Sequence, residues 1–141
     1  MIELVFVIVV LGILAAIAIP KMFATRDDAI VTKGRNDVAA IRSAILSEKS
    51  KRILRGEAPY RSVLDNAAIN QENQPLFEGN STDPFFDYPI YSKNFQGHWM
   101  KTGNNQYVYL LSDQNVTFTY DPTTGKFDCN HSKTGCQLLT Q

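Results

Sequence analysis

A carboxylate stands inside an otherwise apolar run at the front of the chain: Glu3 follows Met1 and Ile2 and precedes Leu4 and Val5. Removing a carboxylate from water is costly unless a positive group meets it. Glu3 therefore implies a counter-charge from outside the run, or a place at a membrane edge where it reaches the headgroups. The other reactive residues lie near the far end. Cys129 and Cys136 enclose six residues that include Asn130, His131, Ser132 and Gly135, a composition able to turn the chain back on itself. A disulfide there would stabilise the fold by roughly 2–3 kcal/mol and imply an oxidising compartment. Reduced thiols are the alternative, because spacing does not reveal oxidation. Cys129, His131 and Cys136 supply three zinc ligands without a fourth. Asp113, Asp121 and Asp128 supply oxygens for calcium without a dense acidic run. No metal site is assigned.

Asn80-Ser-Thr82, Asn115-Val-Thr117 and Asn130-His-Ser132 are the Asn-x-Ser/Thr triplets of the chain, and an acid precedes each asparagine by two residues: Glu78, Asp113 and Asp128. Certain bacterial oligosaccharyltransferases require that acid. With acids at about a tenth of positions, three of three by chance is on the order of one in a thousand, so glycosylation at Asn80, Asn115 or Asn130 is an expectation. Catalysis needs a nucleophile with a base, paired carboxylates in a pocket or a metal cluster, and no motif of these kinds surrounds His98 or His131. No Gly-rich phosphate loop is present, and the scattered Asp and Glu residues read as surface. The expectation is a protein that is not an enzyme and takes no cofactor.

These residues need elements to position them. From Leu4 to Ile19 the chain runs sixteen residues without a charge, ending at Pro20 and Lys21. As a helix this run covers roughly 24 Å, slightly short of a hydrocarbon core, so it reads as a membrane segment aided by its flanks. A secretory signal peptide would show a basic start and a small-x-small cleavage site, and the helical pattern would not continue beyond it. The charges cancel overall, with 14 Lys/Arg and 14 Asp/Glu. They are unevenly placed: residues 21–55 hold nine Lys/Arg against four Asp/Glu, and residues 56–141 hold five against nine. That is either an ordinary solvated helix face or attraction between the head of one copy and the stem of another.

MIELVFVIVVLGILAAIAIP resembles, almost residue for residue, the N-terminus of mature type IV pilins and type II secretion pseudopilins. In that family a peptidase removes a short basic leader and methylates the new terminus, and a glutamate follows a few residues on. Glu3 stands where that glutamate belongs. The resemblance implies that it pairs with the terminal ammonium of an adjacent subunit and sets the register of assembly. Gly12 to Pro20 resembles the family's segment that can lose helical hydrogen bonds on entering the filament. The residues agree, since Pro20 removes the amide that would bond Ala16 and Gly12 lowers helix propensity by about 1 kcal/mol relative to alanine. A simple proline kink at the membrane boundary is the other reading. The chain departs from the family at its start, lacking leader, cleavage site and the customary Phe-Thr pair before Met1, so the expectation is a natural start further upstream. Lys21 and Arg26 alone would draw their side of the segment to the cytoplasm, and a basic leader would reverse that and export the C-terminal head.

After Pro20, apolar residues recur at Phe23, Ile30, Val31, Val38, Ile41, Ile45, Leu46 and Ile53, a near-helical spacing that stops before Gly56 and Pro59. Asp27, Asp28, Gly34 and Asn36 weaken helix propensity, which argues against a straight rod. Pro59, Pro75, Pro84 and Pro89 punctuate a turn-rich region, with a short helix expected around Ser62 to Ile69. Trp99 reads as a core residue. Strands are expected at QYVYLLS from Gln106, VTFTYD from Val116 and KFDC from Lys126, with residues 121–125 as the last turn. The expected fold is α+β and pilin-like: residues 1–20 a transmembrane and assembly helix, 21–55 its amphipathic outer half, and 56–141 a loop and antiparallel sheet head. The resemblance implies a structural subunit of a pilus-like filament, a type II secretion pseudopilin first. Its partners would be copies of itself, related minor pseudopilins, prepilin peptidase, the assembly ATPase and platform, and the bacterial inner membrane before assembly, with the head in the periplasm. The alternatives are a subunit of a DNA-uptake system, where Lys49, Lys51, Arg52 and Arg55 would contact DNA, and an anchored periplasmic binding protein that never polymerises.

Overall fold

Helical periodicity persists from the first residues to the first strong breaker, and the chain follows it. In the computed structural model, which describes residues 1–57, 59–80 and 83–141 and the side chains of all these except Phe23, Ala24, Asn80 and Asp83, helix α1 spans Ile2–Leu54. Neither Pro20 nor the stretch from Asp27 to Asn36 interrupts it. It ends where Gly56 takes φ +83°, its amide donating to the Ile53 carbonyl while the Glu57 amide donates to that of Arg52. This double bond satisfies carbonyls that the last turn leaves open, and a residue without Cβ adopts the required left-handed backbone at little cost.

Beyond α1 the chain forms short paired segments and one larger sheet. β1 (Pro75–Leu76) pairs with β4 (Ile90–Tyr91), and β2 (Gly79–Asn80) with β3 (Asp83–Pro84). β5 (Trp99–Gly103), β6 (Gln106–Leu110), β7 (Asn115–Asp121) and β8 (Lys126–Cys129) form an antiparallel sheet in chain order. A seven-residue helix, α2 (Thr134–Thr140), closes the chain. Along β7 the side chains alternate, Val116, Phe118 and Tyr120 buried, Asn115, Thr117 and Thr119 exposed, as the period of a half-buried strand requires. The buried face meets Val38, Ile41 and Ile45 of α1, with Trp99, Tyr107, Tyr109 and Phe127 completing the core. The α+β class and the helix-on-sheet arrangement are thus as the sequence predicts.

Four particulars differ from the sequence reading. Leu46 and Ile53 are 60% and 57% exposed, so the stripe on the head is narrower and runs through Val38, Ile41, Ile45 and Glu48. No helix forms over 62–69. There the Asp65 carboxylate takes the Ala67 amide two residues on, and Asn70 adopts φ +56°, local bonding that competes with helix. β5 was not foreseen, because its three buried residues Trp99, Met100 and Lys101 break the alternation of a strand and include a charge. α2 was not foreseen either. It lacks a side-chain cap, and its buried residues Gly135, Cys136 and Leu139 gain their stability from neighbours distant in sequence.

At Gly34, α1 packs tightly against side chains of β6 and α2. A Cβ built there would lie 2.6 Å from both Leu139 Cδ2 and Tyr109 Cε1. The residue weakens helix propensity yet permits this approach. Gly34→Val is therefore expected to destabilise the fold by about 1–3 kcal/mol despite adding a better helix former. Urea unfolding of the detergent-solubilised chain reads this, and a variant as stable as the parent would refute it.

Candidate functional site

Residues 1–22 are exposed throughout. An 18-residue window of α1 has mean hydropathy 3.1 with none of it buried, so this helix is long and apolar enough to span a membrane. Glu3 occupies its first turn, where a negative charge suits the helix dipole. Among the described residues the Glu3 side chain has no hydrogen bond or ion pair within its own chain. A Cβ at Gly12 would meet nothing within 4 Å, so packing inside the chain does not explain that glycine. Pro20 lies within an unbroken helix, so the segment from Gly12 to Pro20 is helical here.

At the other end Cys129 and Cys136 form the expected disulfide, their Cα atoms 5.7 Å apart, with Cys136 fully buried. Asp128 has an oxygen within 4.8 Å of both sulfurs, but each sulfur is bonded to the other and neither is a thiolate ligand. The Asp128 carboxylate instead accepts from Arg42 Nη2 at 2.8 Å and lies 3.0 Å from His131 Nε2, while Arg42 Nε donates to the Phe127 carbonyl at 2.9 Å. Partial burial pushes the Asp128 carboxyl up. The bonds from His131 and the Cys129 amide, with the charges of His131 and Arg42, outweigh this and hold it below the usual carboxylate range. The stem thereby grips the disulfide loop. Asp121 caps its own turn through Thr123 and Thr124, and Asp113, Asp121 and Asp128 form no common cluster among the described residues.

The basic end of the stem folds onto its own head. Arg52 contacts Glu48 at 3.9 Å and Glu57 at 3.0 Å, Arg61 reaches Glu48 at 3.3 Å, and Lys49 lies 4.5 Å over the Tyr60 ring. Of the asparagines proposed to carry glycan, Asn115 and Asn130 are exposed. Asn80 ends β2, and its partners Ser81 and Thr82 lie outside the described residues.

Sequence reasoning missed the most buried charged group among the described residues. Asp65, read with the other acids as surface, is 2% exposed and Glu48 is 4% exposed. Asp65 accepts Lys101 Nζ at 2.7 Å, Tyr107 OH at 2.8 Å, and the amides of Phe77 and Ala67 at 2.9 and 3.1 Å. Four donors offset its desolvation. Asp65-Asn66 has a turn-forming composition, but no local signal names partners that lie more than ten residues away.

Burial, together with the charge of Asp65, raises the Tyr107 hydroxyl above the usual tyrosine range, and burial with Asp37 does the same for Tyr109. Tyr120, desolvated and near Glu48, is pushed up to about 12. Each folded-state value lies above the unfolded value of about 10, so the stability these phenols contribute is complete below pH ~10 and is lost as pH rises through the folded values. Thermal midpoints should hold from pH 7 to 9 and fall between about 10 and 12. Tyrosinate absorbance showing these three phenols ionised near pH 10 in the folded chain would contradict the assignment.

Compared with protein-family models, curated proteins and solved structures, the chain matches none.

Proposed function

We propose that this chain is the building block of a type IV pilus-like filament, a type II secretion pseudopilin, held in the inner membrane by α1 before assembly. The observation that carries the reading is a 53-residue helix whose first part is exposed and apolar yet bears Glu3, whose side chain has no partner among the described residues. A surface of this kind is covered either by lipid or by other copies. Apolar burial at about 25 cal/mol per Å² supplies most of the attraction between bundled stems, and the glutamate selects the register by meeting the terminal ammonium of an adjacent copy. The open space at Gly12 suits close approach of a neighbouring helix. Prepilin peptidase, the assembly ATPase and minor pseudopilins are the partners this reading entails. A secretion machine is favoured over DNA uptake because Arg52 and Lys49 are engaged by Glu48, Glu57 and Tyr60 of the same chain.

Glu3→Ala tests the proposal. The variant should remain in the membrane with its head folded, while sheared filament and site-directed cross-links between stems fall at least tenfold. Filaments at the parental level would refute a role for Glu3 in assembly, and a parent chain that itself yields neither filament nor stem cross-links would favour a simple anchored periplasmic protein.

A further inference from the structure

Of the three asparagines preceded by an acid, two are described with their side chains, and the fold treats them differently. Asn115 and Thr117 both point to solvent, but their backbone is paired with β6, Asn115 opposite Leu110 and Thr117 opposite Val108. Asn130 follows β8, the edge strand, and residues 130–134 are all exposed and belong to no strand pair. Its Oδ1 accepts the Ser132 amide at 3.0 Å, closing an Asx turn that keeps asparagine and serine in one short loop. Among the described residues its Nδ2 makes no hydrogen bond.

We propose that Asn130 is an N-glycan acceptor in the folded protein, and that the fold selects it over Asn115. An oligosaccharyltransferase must take its acceptor as a segment separated from other strands. Freeing Asn115 to Thr117 would open the β6–β7 pair within the sheet. Freeing residues 130–132 opens no strand pair: it breaks the bonds from the Ser132 amide to Asn130 Oδ1, from the Lys133 amide to the Asn130 carbonyl and from Gln137 Nε2 to the His131 carbonyl, and the contact of the His131 ring with Asp128. The required acid is Asp128, whose side chain is 43% exposed. It exchanges its bonds to Arg42 and His131 for a cation of the enzyme, and a half-exposed ion pair of this kind is screened by water and costs little to open.

In the transfer, Asn130 Nδ2 forms a bond to the anomeric carbon of an oligosaccharide carried on a polyprenyl pyrophosphate. The bond from that carbon to the pyrophosphate oxygen breaks, the lipid pyrophosphate leaves with the electron pair, and one Nδ2 proton passes to solvent. No oxidant or reductant is needed. In the cell the reaction requires an exported head, as the proposed topology provides, but the acceptor chemistry can be read on purified protein whether or not it polymerises.

The test incubates the folded, disulfide-bonded full chain in detergent with an acid-requiring bacterial oligosaccharyltransferase and a lipid-pyrophosphate oligosaccharide. Trypsin, cutting after Lys and Arg, leaves Asn130 on peptide 127–133 and Asn115 on peptide 102–126. After reduction, peptide 127–133 should gain the glycan mass and peptide 102–126 should remain bare. Ser132→Ala, which removes a hydroxyl that has no partner among the described residues, should cut the modification at least tenfold, and Asp128→Glu should retain it. Peptide 127–133 at its bare mass, its continued modification in Ser132→Ala, or equal modification of peptide 102–126 would each overturn the proposal.

Discussion

Asp65→Ala is expected to destabilise the protein by about 3–5 kcal/mol, because removing one member of a buried ion pair leaves the other charged and unsolvated. Here the loss is wider than one pair. The Lys101 ammonium is only 7% exposed and its other acceptor is the Asp65 carbonyl at 3.3 Å, while the Tyr107 hydroxyl and the amides of Ala67 and Phe77 also lose an acceptor. A buried donor left unsatisfied costs about 1–3 kcal/mol, so the packing lost with two oxygens is the smaller part. Lys101→Met should be milder, since Asp65 keeps Tyr107 and two amides. The double variant should recover part of the deficit, because it removes the orphaned ammonium. Denaturant unfolding followed by the fluorescence of Trp99, the one tryptophan of the chain, measures all three. A loss below about 1 kcal/mol for Asp65→Ala would mean that the network does not hold the 60–77 segment to the sheet.

Trp99→Ala should cost a similar amount, about 3–5 kcal/mol, through a different term. The indole is fully buried, with Phe77, Tyr109, Phe118 and Phe127 rings centred 4.9–5.9 Å away. Its Nε1 donates to Asp37 Oδ2 at 3.0 Å, joining the sheet to the stem. Asp37 retains Lys33 at 3.0 Å when the indole is gone, so the lost hydrogen bond adds less than the cavity does. Trp99→Phe, which keeps most of the volume and gives up the donor, should cost roughly 1–2 kcal/mol. Circular dichroism reads both variants. If Trp99→Phe proved as damaging as Trp99→Ala, the bond to Asp37 would outweigh the packing.

What the sequence determined by itself is whatever depends on near neighbours. The unbroken apolar run, the isolated charge at Glu3, the end of α1 at Gly56, the alternation along β7 and the short spacing of Cys129 and Cys136 are properties of adjacent residues, and helical and strand periods expose them directly. What the tertiary structure decided is which distant groups meet. Asp65 and Lys101 are 36 residues apart and become a buried pair. Gly34 looks like a weak helix residue until Leu139 and Tyr109 arrive against it. Arg52 and Lys49 look available to a partner until Glu57 and Tyr60 of their own head engage them. The choice between Asn115 and Asn130 follows the same line, since identical spacing of acid, asparagine and hydroxyl sits once in a paired strand and once in an unpaired loop. Periodicity is local, whereas desolvation and charge pairing depend on the partner that folding brings.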